Sequence, residues 1–311
     1  MGASGRGRHL AALGSSARTM PRNASNRLNP AEYMARKKRD PRDVKAVVLL
    51  FAHSGVVRPT EWLQLLQPDS GVSLLIHCYH ALPPELQPFR YPRTQVTAWG
   101  DISLFVLLRR MLRHAQEAYP QATIFYTCPG NGVPLVDAAT LARQQTSILG
   151  IPTRVEKATK PAWEALRAKA MLDVGLPTIP PRCYGSTWIA LSSDDAALVV
   201  KLGEKHDVAL HEVYRATYAY ASEGHGCSEH SRVHPDEEFV AYLIHVVSCR
   251  PWPTVYEHIM AEVTESPPPT LCEACGYRVG HAAPLSAQQE ARMRDRPNGA
   301  LFMRKVQPVT Q

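Results

Sequence analysis

The chain has 311 residues, 45% of them hydrophobic, and a formal net charge of +7. That length and apolar content allow a substantial core, in one large domain or two small ones, and exclude a chain that is disordered or of low complexity throughout. The positive balance suits an anionic partner, whether nucleic acid, a membrane surface or a nucleotide sugar.

Much of the excess charge sits early, in Arg6, Arg8, Arg18, Arg22, Arg27, Arg36, Lys37, Lys38, Arg39 and Arg42. Residues 1–43 are rich in Arg, Ser, Asn and Ala with no sustained period, and are expected to be a largely disordered basic arm. Their opening lacks the charged-then-apolar order of a secretory signal. Arg6 stands where a myristoylation motif after Met1-Gly2 wants Ser or Thr. No run approaches the roughly 20 apolar residues of a membrane span. The expectation is a soluble, cytoplasmic protein, with membrane association only through a partner. The sequon Asn23-Ala24-Ser25 has meaning only in a secretory lumen.

Order is expected from Val44, within a single domain over 44–311. Val44 to Ala52 is apolar and rich in β-branched residues, the pattern of a strand covered on both faces, and His53-Ser54-Gly55 ends it. A helix is expected to start at Pro59-Thr60-Glu61-Trp62, and Val72 to Cys78 reads as a second strand. Between Ile102 and Ala118 the period becomes helical. Leu104, Leu107, Leu108, Met111, Leu112 and Ala115 fall on one face, with Arg109, Arg110, Arg113 and Gln116 mostly on the other. Ala122 to Cys128 is a third strand, cut by the turn signal Pro129-Gly130-Asn131-Gly132. Alternating strands and helices predict an α/β layered fold with a mainly parallel sheet.

Farther on, Ser186 to Leu191 reads as a strand. Ser192-Ser193-Asp194-Asp195 offers a cap for a helix through Val200. Pro235 suits the first turn of a helix that buries Phe239, Val240, Leu243 and Val247, and Pro267-Pro268-Pro269 is a spacer. The cysteines number seven, and only Cys272 and Cys275 are close. One such pair without a second Cys/His pair is weak support for zinc, so a reduced pair or local disulfide is expected.

Several stretches resemble the core-2/I-branching family of β-glycosyltransferases, spread from about Val44 to Val306. Ile76-His77 is similar to that family's Ile/Val-His-x-Asp step, with Tyr79 at the acidic position. Trp99-Gly100-Asp101-Ile102-Ser103 resembles its Trp-Gly-x-x-Ser motif. Pro134-Leu135 resembles the end of its Ser-Gly-x-Asp-x-Pro-Leu loop, with Pro129 and Gly132 replacing the Ser and Asp. Gly185-Ser186-Thr187-Trp188-Ile189-Ala190-Leu191-Ser192 is similar to a segment near the sugar site. Pro235-Asp236-Glu237 matches the motif that carries the general base, and Leu301 to Val306 matches the basic terminal step.

The resemblance implies a GT-A type nucleotide-sugar fold with a parallel-rich central sheet flanked by helices. It implies inverting, metal-independent transfer from a UDP-sugar to a hydroxyl on a glycan or glycoprotein. N-acetylglucosamine is favoured, with xylose and glucuronate as alternatives. Glu237 would be the base, with Glu238 the adjacent candidate. Arg278, Arg304 and Lys305 would hold the donor diphosphate, and His77, Trp99, Gly100, Ser186, Trp188, Asp236 and Glu238 would contact donor or acceptor.

The residues themselves permit this chemistry. Inverting transfer needs one carboxylate within hydrogen-bond reach of the attacking hydroxyl, and fixed cations can stabilise a leaving pyrophosphate in place of a metal ion. No Asp-x-Asp is present, and no cofactor is expected. Each element also has an ordinary reading. Asp and Glu favour a helix's first turn, the basic tail could be solvated, and both tryptophans could be core. The leading alternative is a nucleic-acid-binding protein using the Arg-rich arm; a zinc protein built on Cys272 and Cys275 is a lesser one.

Overall fold

A computed structural model describes residues 40–53, 55–67, 69–98, 100–149, 161–178, 186–220, 235–251, 260–262, 270–271, 278–279 and 300–304. The described part is α/β. Its main sheet has four strands: β1 (Ala46–Ala52), β2 (Val72–Cys78), β3 (Ile124–Pro129) and, after the two-residue β4 (Val133–Pro134), β5 (Ala190–Ser192). The order is β2-β1-β3-β5. β1 runs parallel to β2 and β3, and β5 is antiparallel to β3. Parallel neighbours require a crossover, supplied here by helices α1 (Pro59–Gln64) and α2 (Ile102–Ala118).

Strand alternation explains the layers. Ala46, Val48, Leu50, Ala52, Ile124, Tyr126 and Cys128 face one cluster with Trp62 of α1 and Leu141 of α3 (Ala138–Arg143). Val47, Leu49, Leu75 and Phe125 face the other, shared with Phe105, Leu108, Met111 and Leu112 of α2. That second layer also contains α4 (Pro161–Asp173), α5 (Ser193–Lys205), α6 (Asp207–Tyr220) and α7 (Pro235–Ala241), which continues as a π-helical turn, Tyr242–Val247. A period of two with both faces apolar is what a covered parallel sheet requires.

Three local expectations change. Arg109 lies inside, 6% exposed. Its guanidinium donates to the Gly203 carbonyl and to Asp207 and sits 5.0 Å from the Phe105 ring centre, so it joins α2 to α5 and α6 instead of facing water. The strand at 186–191 shrinks to Ala190–Ser192 because the Thr127 hydroxyl takes over upstream backbone groups. It donates to the Thr187 carbonyl (2.6 Å) and accepts from the Ile189 N–H (2.8 Å). The helix capped by Ser192 runs to Lys205 rather than stopping at Val200.

Two small sheets are also present. β4 pairs with β9 (Phe302–Arg304), which also pairs with β6 (Met260–Glu262). β7 (Thr270–Leu271) and β8 (Arg278–Val279) form a separate ribbon. No helix among the described residues is long and apolar enough to cross a membrane.

Candidate functional site

In an open α/β sheet, ligands bind beyond the carboxyl ends of the strands, where neighbouring connections diverge. Here that place is between β1 and β3. The turn after β3 is locked to the end of β1: the Gly130 N–H donates to the Phe51 carbonyl (2.9 Å), and the Val57 N–H donates to the Gly130 carbonyl (2.8 Å). A Cβ on Gly130 would lie 2.5 Å from the Gly55 carbonyl oxygen and 2.6 Å from Ala52 Cα, so only glycine permits this approach. Arg58, next along, takes a left-handed backbone (φ 50°) and pairs with Glu61 at 3.0 Å.

An aromatic group flanks the same edge. The rings of His53 and His77 meet Tyr79 edge-to-face at 5.7 and 5.1 Å, and Trp188 meets Phe51 at 6.4 Å. The Tyr79 hydroxyl accepts from the Thr97 N–H and donates to the Gln95 carbonyl at 2.6 Å, so it pins segment 95–97. His77, 3% exposed, has its Nε2 against the same Gln95 backbone (3.1 Å to the carbonyl). Burial holds the His77 pKa below the usual 6.5; the Gln95 hydrogen bond opposes this and the Arg90 charge adds to it.

The 186–188 loop and the start of α7 meet on the α2 side of this edge. The Thr187 hydroxyl donates to Asp236 Oδ2 (2.8 Å), while Ser186 Oγ accepts from the Trp188 N–H (3.1 Å). The three consecutive acids divide by environment. Asp236 is 4% exposed and bound by Thr187, and Glu238 is 1% exposed and paired with Arg167 at 3.1 Å. Glu237 is the one of the three that is only half-buried. One turn of helix separates their directions by about 100° per residue, which sends adjacent carboxylates into different surroundings.

The remaining candidates distribute as follows. Gly100 is buried at φ 64° and starts α2; Asp101 accepts from the Ser103 N–H (2.8 Å) and from the Tyr214 hydroxyl (2.8 Å). Gly100 to Ser103 is thus a helix entry fastened to α6. Trp99 and Lys305 lie outside the described residues, as do the arm and the Cys272/Cys275 pair. Arg278 and Arg304 are backbone positions, in β8 and β9. Met303 is opposite Val133 and Phe302 opposite Pro134, so Arg304 follows on towards Gly132 and the turn at the sheet's carboxyl edge. Phe302 anchors this strand, fully buried and stacked on Trp62 at 6.0 Å.

Among the described residues, no group of three or more His, Cys, Asp or Glu is arranged to hold a metal ion. Sequence reasoning missed Thr127, Thr187, Arg58 and Arg167. Only Thr187 carried a signal, as the variable position inside the Gly-Ser-x-Trp stretch. No protein-family model matches the chain, and no curated protein matches it.

Proposed function

We propose that the chain is an inverting GT-A type glycosyltransferase of the core-2/I-branching kind, moving a sugar from a UDP-sugar to a glycan hydroxyl. One observation carries the reading. The Thr187–Asp236 hydrogen bond brings two stretches almost fifty positions apart, each resembling a family motif, to the carboxyl edge of β1 and β3. Of the three acids there, Glu237 alone is not buried, as a base that meets a substrate hydroxyl must be.

In this reading the donor lies across the β1/β3 edge, with Trp188 as a wall beside the sugar. Glu237 takes the proton of the acceptor hydroxyl as it attacks the anomeric carbon in line, opposite the departing UDP. Arg304, Lys305 and Arg278 supply fixed positive charge where the leaving diphosphate gains negative charge, without a metal ion. N-acetylglucosamine is the first choice of sugar, with xylose and glucuronate next.

Glu237→Gln should lower kcat by about a thousandfold or more while leaving UDP affinity within about twofold, because the amide keeps the shape and loses the base. Calorimetric titration with UDP and a panel of UDP-sugars, with and without a chelator, measures binding. Undiminished transfer by Glu237→Gln sinks the assignment of the base, and a requirement for manganese sinks the metal-independent mechanism.

A further inference from the structure

We propose that Arg167 is a positioning residue, which fixes the first turn of α7 so that Glu237 stays directed at the acceptor. The inference rests on the reading of Glu237 as the base. Arg167 is 1% exposed and so is Glu238, and its two terminal nitrogens divide between Glu238 Oε2 (3.1 Å) and Glu164 Oε2 (2.7 Å). Glu164 is one turn earlier on α4, so the guanidinium fork is oriented before α7 meets it. Such a charged group carries a large desolvation cost, and apolar residues of similar volume would satisfy packing alone at least as well.

The need for such a brace follows from α7 itself. It has 7 residues before the ladder changes to π-helical at Tyr242–Val247, so helix propagation contributes little to holding its first turn. Both neighbours of Glu237 are instead tied from outside, Asp236 by Thr187 and Glu238 by Arg167. The same side braces the π turn, where the Tyr242 hydroxyl donates to the Pro177 carbonyl (2.8 Å), just beyond α4. Phe239 meets Phe105 of α2 edge-to-face at 5.5 Å, which adds a contact on a different face of the turn. Rotation of the first turn, the motion that would swing Glu237 away, is what these contacts oppose together.

The test compares the full-length wild type with R167K and R167M/E238M. Thermal unfolding, UDP calorimetry, hydrogen–deuterium exchange of peptides covering 235–241, and transfer kinetics are measured on each. The double variant removes both charges at nearly constant volume, so its thermal midpoint should stay close to that of the wild type. Exchange over 235–241 should quicken by about tenfold as the turn loosens. Its kcat should fall by about ten- to a hundredfold with donor KM and UDP affinity within about twofold, and R167K should fall between it and the wild type.

A folded double variant with wild-type exchange and wild-type kcat overturns the proposal, as does a loss confined to KM. If the double variant fails to fold, R167K decides by the same two readouts. If the wild type transfers no sugar, the reading of Glu237 as base fails by itself. Unchanged exchange over 235–241 then rejects the brace independently, and faster exchange upholds it.

Discussion

Three consecutive acids show how strongly position on one turn decides what a carboxylate can do. Asp236 and Glu238 are buried against Thr187 and Arg167, and Glu237 between them is half-buried. Gly130 is a second residue where one atom matters. Its backbone is not in the left-handed region, and the constraint is contact with the Ala52 and Gly55 backbones, which cannot give way as a side chain would. Gly130→Ala should therefore destabilise the fold by about 1–3 kcal/mol, as overpacking does. The loss would be read as a lowered denaturation midpoint at unchanged m-value, together with weaker UDP binding as β1 and β3 are pushed apart at their ends.

Among the elements, β9 is the one whose placement bears most on the proposed chemistry. Phe302 stacks on Trp62 of α1 and meets Tyr126 of β3 edge-on at 5.6 Å, and the Leu135 N–H donates to the Leu301 carbonyl at 2.9 Å. The strand is therefore held by its apolar half, which leaves Arg304 to continue towards the turn after β3. Phe302→Ala should cost about 3–5 kcal/mol, the usual range for deleting a buried aromatic ring. On the proposed reading UDP affinity should fall with it, because the strand that carries Arg304 would lose its anchor. If affinity stays at the wild-type level in a variant still folded at the assay temperature, β9 is not what delivers the cations. α2 is built by a comparable device at its start, where Gly100 allows the turn and Asp101 caps the helix and accepts from Tyr214 of α6.

Over the whole molecule, acid lability should come first from histidines. His77, His206 and His245 all have pKa values lowered from 6.5, in each case chiefly by burial. The folded chain binds these protons more weakly than the unfolded chain, so stability rises with pH in this range. Their contribution is fully present above pH 6.5 and is lost as pH falls through 6.5 towards the lowered folded values. Asp40 and Asp137 have pKa values lowered from 3.8, by the Arg42 and Thr140 hydrogen bonds respectively, and act only in stronger acid. The thermal midpoint should thus drop between about pH 7 and pH 5, where carboxylate protonation contributes little. His77→Asn should flatten that slope, and an equal slope in the variant would exclude His77 as a source.

Periodicity in the sequence was enough for the layered α/β class, the mainly parallel sheet and the long amphipathic α2, because covered strands and amphipathic helices each impose their own apolar spacing. The acidic start of α7 and the Ser192 cap were legible for a similar reason: both are local backbone chemistry. What only tertiary structure decided were the partners of polar side chains far apart in the chain. Nothing near Arg109 in the sequence signals the Gly203 carbonyl and Asp207 that allow it inside. Nothing near Arg167 signals Glu238, 71 positions away. The shortening of β5 depended likewise on a Thr127 hydroxyl from another strand. A hydrophobic period is written along a single element, whereas the burial of a charge depends on which remote group arrives to meet it.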